Sequence, residues 1–237
     1  MRVAAISDIH ANLRALEAVL ADIEREQVDE IVVVGDTVAG PWPVEVFDLV
    51  AAVDASIVGG NADRAVLERD DQFGSNPPWC ADRLGATRLA SVASWPLTYE
   101  FVVGGVGRVL ACHSTPTSDD PIYTRITPDD VMADLLGIVD ADALVCGHTH
   151  MQYDRTLANG LRVINPGSVG MPYEGECGAY WAILGPDVEL RRSEYDVEGA
   201  VAEIQATDAP VERFVEYLLE PRDPVTTTEY FESLRAT

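Results

Sequence analysis

Asp142-Ala143-Leu144-Val145-Cys146-Gly147-His148-Thr149-His150 is the stretch around which the chain is organised. Asp142 to Cys146 reads as a short buried strand, and Gly147 to His150 as the turn at its C-terminal end. Two histidines one residue apart on a loop can aim their nitrogens into one pocket, because Gly147 lets the backbone turn sharply. A His-x-His alone is a weak signal. The census strengthens it: the only histidines are His10, His113, His148 and His150, and each follows a run that reads as a strand.

Working outward from that stretch, the same unit recurs. Arg2 to Ser7 reads as a buried strand ending at Asp8-Ile9-His10, with Asn12 as N-cap of the next helix. Leu13, Leu16, Leu20 and Ile23 share one face of that helix. Glu30 to Val34 is a β-branched run stopped by Gly35-Asp36. Val46, Leu49, Val50 and Val53 are again helical, and a strand from Ala55 to Val58 ends at Gly59-Gly60-Asn61-Ala62-Asp63. Such a βαβ series predicts a parallel sheet covered by helices. Residues 71–96 interrupt it with turn signals and a short helix near 79–93; this insertion is read as a substrate cap. Thr98–Val103 and Arg108–Cys112 form a hairpin leading to His113, and a helix starts at Thr127-Pro128 and runs to about Leu136. Leu161 to Ile164 is a strand ended by Asn165-Pro166-Gly167-Ser168, and Ala179–Leu184 with Val188–Arg192 closes as a hairpin. Residues 1–195 are thus expected to form one domain. Residues 196–237 are an acidic helical extension packed on it, with helices at 197–205 and 210–220 and no assignment from 221 onward. Its acidic side is read as a solvated face, with a contact between copies as the alternative.

The formal charge is −24, and all sixteen basic residues are Arg. Such an acidic surface repels nucleic-acid phosphates and argues against an extended nucleic-acid face. A small phosphate substrate stays open, because bound cations reverse the local field. Cys80, Cys112, Cys146 and Cys177 are far apart, and the two inside apolar runs, Cys112 and Cys146, read as buried reduced thiols. No signal peptide is apparent, and no apolar run approaches the roughly 18 residues that span a bilayer. A cytoplasmic protein is expected.

Asp8, His10, Asp36, Asn61, His113, His148 and His150 all stand just past a strand's C-terminal end, the edge where open α/β sheets bind ligands. Four imidazoles, two carboxylates and an Asn carbonyl give mixed N/O ligation suited to Mn, Fe, Zn or Co. Seven ligands exceed one tetrahedral zinc but suit two ions about 3.5–4 Å apart. There is no Gly-x-Ser-x-Gly elbow, and without Lys no Walker-type loop.

Asp8-Ile9-His10, Gly35-Asp36, Gly60-Asn61-Ala62-Asp63, His113 and Gly147-His148-Thr149-His150 resemble the successive motifs of the calcineurin-like metallophosphoesterases. Asn165-Pro166-Gly167-Ser168 resembles their small bacterial phosphodiesterase branch. The resemblance covers about residues 1 to 190 and implies a four-layer αββα sandwich with two mixed β-sheets. It implies that Asp8, His10 and His150 hold one divalent ion, that Asn61, His113 and His148 hold the other, and that Asp36 bridges them. Manganese is preferred, with Fe, Zn, Co and Ni as alternatives. It further implies attack on phosphorus by a metal-bridging hydroxide, with Asp36, Asn61, His113 and Arg64 as the catalytic set and Arg64 on the phosphate. One position departs from the pattern: many members carry a proton-donating His after the motif Asn, and this chain has Ala62.

The expected activity is therefore hydrolysis of a small phosphodiester. A phosphomonoesterase and a metal-binding scaffold without turnover are the alternatives. Asp63 and Arg64 are read either as first-turn helix residues pairing with solvent or, respectively, as a support for the ligands and a phosphate contact. Asn165 and Ser168 are read as turn formers, and Trp42, Trp79 and Trp95 as packing residues, with Trp79 also a candidate for the substrate entrance.

Overall fold

The computed structural model describes residues 1–235. In chain order the elements are β1 (Val3–Ile6), α1 (Leu13–Glu26), β2 (Glu30–Val34), α2 (Pro43–Ala52), β3 (Ser56–Val58), α3 (Asn61–Glu68) and α4 (Asn76–Val92). Then come β4 (Thr98–Val103), β5 (Gly107–Cys112), α5 (Asp129–Leu136), β6 (Ala143–Val145), β7 (Gln152–Thr156) and β8 (Arg162–Pro166). The chain closes with β9 (Ala179–Leu184), β10 (Val188–Ser193), α6 (Val197–Gln205), α7 (Glu212–Leu219) and α8 (Pro224–Arg235).

The strands form two mixed five-stranded sheets, ordered β10-β9-β1-β2-β3 and β4-β5-β6-β8-β7. In the first, β1, β2 and β3 run parallel and β9 lies antiparallel to β1. In the second, β5, β6 and β8 run parallel, with β4 and β7 antiparallel at the edges. Period-two alternation makes the layers. Val3, Ala5, Val32 and Val34 point into the core between the sheets, where they meet Val109, Ala111, Ala143 and Val145. Ala4, Ile6 and Val33 point the other way, against Leu16, Val19 and Ile23 of α1 and Val46 and Val50 of α2. On the far side, Leu110 and Leu144 pack against Met132 and Leu136 of α5. Helix, sheet, sheet, helix is the four-layer sandwich that the resemblance implies.

Asn12 caps α1 as expected, its side chain accepting from the Ala15 N–H at 3.3 Å. Three elements differ from the sequence reading. The helix expected near 79–93 begins at Asn76 and is kinked at Gly85, whose backbone is non-helical (φ 69°, ψ 170°). Strand β7 was not anticipated: Gln-Tyr-Asp-Arg-Thr offers one buried apolar side chain, Tyr153, because it is an edge strand. Helix α8 occupies the tail left unassigned. The acidic residues of the C-terminal helices do face solvent. Their apolar sides do not, since Val201, Ile204, Phe214, Val215 and Leu218 bury one another against Trp42 and Met171.

Candidate metal centre

The parallel strands deliver their C-terminal ends to one place. Asp8 and His10 follow β1, Asp36 follows β2, Asn61 opens α3 after β3, His113 follows β5, and His148 and His150 follow β6. All seven predicted side chains converge. Ligand atoms of Asp8, His10, Asp36 and His150 lie within 4.8 Å of one another, and all four residues are buried. His10 Nε2 and His150 Nε2 are 3.1 Å apart, and His150 Nε2 is 3.2 Å from Asp8 Oδ1. Beside them, Asn61 Oδ1 stands 3.0 Å from His113 Nε2 and 2.9 Å from His148 Nδ1. Asp36 Oδ2 lies between the two groups, 3.6 Å from His10 Nε2 and 3.4 Å from His113 Nε2.

The backbone reaches this arrangement under strain. Asp8, His10, Asp36, His148 and His150 all adopt φ between 46° and 70°. Non-glycine residues rarely hold that left-handed region unless surrounding contacts over-determine it. Those contacts are visible. The His148 N–H donates to Asp8 Oδ2 at 3.1 Å, and the Ala62 N–H donates to Asp36 Oδ1 at 2.7 Å. The Ser168 hydroxyl donates to the Asp8 carbonyl at 2.7 Å, and the Asn165 amide to the Gly147 carbonyl at 2.7 Å. Asn165 and Ser168 therefore do more than form a turn: they tie the loop after β8 to two ligand loops. Asp63 does the same for a third, its carboxylate accepting from the Thr37 (2.8 Å), Val38 (2.9 Å) and Gly60 (3.1 Å) amides. Gly147 is needed sterically, because a Cβ there would overlap Ser7 Oγ.

The donor chemistry fits cations. His113 Nδ1 faces the Val34 carbonyl at 2.9 Å and His150 Nδ1 faces the Met171 carbonyl at 2.7 Å. A proton on each Nδ1 fixes the tautomer and aims a bare Nε2 lone pair inward. On His113 that lone pair meets Asn61 Oδ1 and Asp36 Oδ2, so three acceptors face one another. Positive charge in their midst, a proton or a metal ion, satisfies such a set. Electrostatics tell the same story without an ion. Burial opposes charge on His113, but Asp36 outweighs it and lifts the pKa to about 10. Burial likewise opposes charge on His150, and Asp8 overcomes it. Burial presses His148 down to about 4 and lowers His10 as well. Burial pushes both Asp8 and Asp36 upward, yet chiefly His150 and His113, respectively, hold them below the ordinary carboxylate range.

The Arg64 guanidinium pairs with Asp119 at 3.0 Å and with Asp120 at 2.6 Å. Those carboxylates, on the loop after His113, neutralise it, and the same loop presents the Asp120 carbonyl 3.1 Å from His148 Nε2. Arg64 is thus a loop clamp. Trp79 packs, as its leading reading has it, against the Val38, Cys80 and Leu84 cluster.

A cavity of about 710 Å³ opens onto the candidate ligands His10, Asp36, Asn61, His148 and His150. Gln72, Gly74, Ser75, Asn76 and Pro77 supply one wall, and Val211 to Phe214, Tyr217 and Phe231 supply another. Tyr173 stacks on His150 (4.8 Å, 15°), Tyr217 meets Tyr173 edge-on at 5.7 Å, and Phe231 lies 6.1 Å from Tyr173. This aromatic wall was missed in the sequence. Its members are scattered from 173 to 231 with no shared spacing, and only the seating of α7 and α8 brings them together.

Among the described residues, no helix is long and apolar enough to cross a membrane. A family model, the calcineurin-like phosphoesterase superfamily domain, matches residues 1–184. An uncharacterised protein of Methanocaldococcus jannaschii is 30% identical over 232 residues, covering 88% of this chain and 93% of its own length. The crystal structure of a metallophosphoesterase from Sphaerobacter thermophilus is similar with a TM-score of 0.74 and 29% identity, covering 93% of this chain and 99% of that one. A hypothetical protein from Pyrococcus horikoshii shares the fold at a TM-score of 0.81 and 18% identity, over 94% of this chain and 99% of its own. With its seven-residue cluster and this match over most of its length, the chain belongs to the calcineurin-like phosphoesterase superfamily.

Proposed function

We propose that the chain is a phosphodiesterase that works with two divalent metal ions, manganese by preference, on a small phosphodiester. The observation that carries the reading is the inward convergence of four imidazoles and two carboxylates around the Asn61 carbonyl. Asp8, His10 and His150 would hold one ion and Asn61, His113 and His148 the other, with Asp36 shared. Divalent ions there supply Lewis-acid neutralisation of phosphoryl oxygens and acidify nearby water.

The chain's own residues orient and exclude. The Val34 and Met171 carbonyls fix the rings of His113 and His150 so that no reorganisation is needed when charge develops. The Asp8 and Asp36 carboxylates are each pinned by a backbone N–H, which sets the direction of the remaining lone pairs. Tyr173 and Phe231 shield the His150 side of the cavity from water.

Two features favour a diester. Every imidazole is committed to the cluster, and Ala62 stands where many relatives place a proton-donating His, so no imidazole is left to protonate a poor leaving group. The cavity also extends well beyond the cluster, giving room for two organic groups flanking one phosphate. The test compares bis(p-nitrophenyl) phosphate with p-nitrophenyl phosphate, with Mn²⁺ and after chelation. Metal-dependent cleavage with diester preference supports the proposal. Monoester preference replaces it with a phosphatase, and silence on both with a scaffold.

A further inference from the structure

The far wall of the cavity carries a charge that the chemistry at the cluster does not use. Among the described residues, Arg213, on α7, is the only arginine lining the cavity, and it is exposed. In a chain with sixteen Arg against forty acidic residues, most guanidiniums are tied to a carboxylate. Arg213 has no carboxylate within ion-pair distance among the described residues. What holds it is an aromatic face: its guanidinium carbon lies 5.8 Å from the Tyr217 ring centroid. Arg222 sits on the same ring at 4.6 Å, with its Nε buried and unpartnered, so two cations flank Tyr217. Cation–π contact pre-orients a guanidinium while leaving its five N–H donors free for an oxyanion. Glu212 also lines the cavity, but one residue along a helix turns the side chain by roughly 100°, so it need not pair with its neighbour.

Position decides what Arg213 can address. From the cluster outward the contacts run His150 to Tyr173 (4.8 Å), Tyr173 to Tyr217 (5.7 Å), and Tyr217 to Arg213 (5.8 Å). Two rings therefore stand between the guanidinium and His150. Helix α7 cannot drift, because Phe214, Val215 and Leu218 anchor it in a buried cluster with Met171, whose carbonyl holds His150. The charge is thus fixed relative to the ligands but set apart from them.

We propose that Arg213 is a specificity-determining residue that binds a second anionic group, a phosphate or carboxylate, on the organic part of the substrate distal to the scissile ester. The substrate class follows: a phosphoester with an oxyanion at its far end, drawn into an otherwise acidic protein by the Arg213 guanidinium. The inference rests on the proposed hydrolysis at the cluster.

Its test uses p-nitrophenyl phosphodiesters of three six-carbon alcohols, ending in a methyl group, a carboxylate or a phosphate, with the Mn²⁺-loaded full chain. The wild type should prefer the charged tails. Arg213→Ala should lower the ratio of charged-tail to methyl-tail kcat/KM by about 10- to 100-fold, as for loss of a charge-assisted hydrogen bond, and Arg213→Lys should retain part of it. The ratio is taken within each protein, so any loss of folded fraction cancels. Preference for phosphate alone identifies a phosphorylated substrate; equal preference identifies a general oxyanion site. An unchanged ratio in Arg213→Ala overturns the inference. Should the wild type cleave none of the three, the hydrolase reading falls instead, and calorimetric binding of 6-phosphonohexanoate against hexylphosphonate decides for Arg213. Selective weakening of the former in Arg213→Ala upholds the site, and equal binding in both proteins removes it.

Discussion

At one end of the cavity, Asp8, His10, Asp36 and His150 sit buried on short loops with left-handed backbones, each pinned by hydrogen bonds from other loops. At the other end, Tyr217 and Phe231 stand half-buried on helices that follow the last strand, the first of these helices held by apolar packing. The first end is over-determined: a strained residue there cannot relax without breaking contacts to a second and third loop. The second end is seated by side-chain burial, which tolerates substitution of similar volume. The difference teaches that the two ends are built separately. Under the proposed function, the loops would fix where charge is held and the helices which ester reaches it.

Perturbations should separate the two ends. Replacing Asp36 with Asn should be most severe, lowering kcat/KM by on the order of 10³-fold and weakening both ions, as steady-state assays and metal titration would show. Near-normal turnover would refute its shared role. Asn165→Ala touches no proposed ligand but frees the Gly147 carbonyl from its 2.7 Å bond. It should weaken metal binding by about 10- to 100-fold, read by competition with a chelator. Gly147→Ala should cost about 1–3 kcal/mol through overlap with Ser7, a fall in Tm of about 2–12 °C by calorimetry. Leu218→Ala, at the other end, should also cost about 2–4 kcal/mol and raise KM, yet leave metal affinity intact. Loss of metal in that variant would erase the division between the ends. Arg64→Ala should be mildest, a change in kcat/KM of less than about tenfold, because its ion pairs are partly exposed and act only through the loop bearing Asp120.

The ligand end was legible in the sequence because each ligand directly follows a strand, and strand ends are marked by β-branched runs meeting Gly, Asp or His. Five motif pieces in order were enough for the four-layer sandwich. The roles of Asn165, Ser168 and Asp63 were half legible: their residue types announce a turn or a cap, but their partners lie up to 160 residues away. The ion pairs of Arg64 were not legible: its position after the Asn61 motif suggests a phosphate, while Asp119 and Asp120 belong to a loop with no pattern. The far wall was not legible at all. Amphipathic periodicity found α6 and α7, but which face covers the cavity depends on how Trp42 and Met171 receive them. No local signal encodes that docking.

Anomalous diffraction at the manganese edge, on crystals grown with Mn²⁺, tests the central claim most directly. Two peaks per chain are expected, one among Asp8, His10 and His150 and one among Asn61, His113 and His148, with Asp36 contacting both. No peak within the cluster, or a single ion that leaves Asn61, His113 and His148 bonded only to one another, would contradict it.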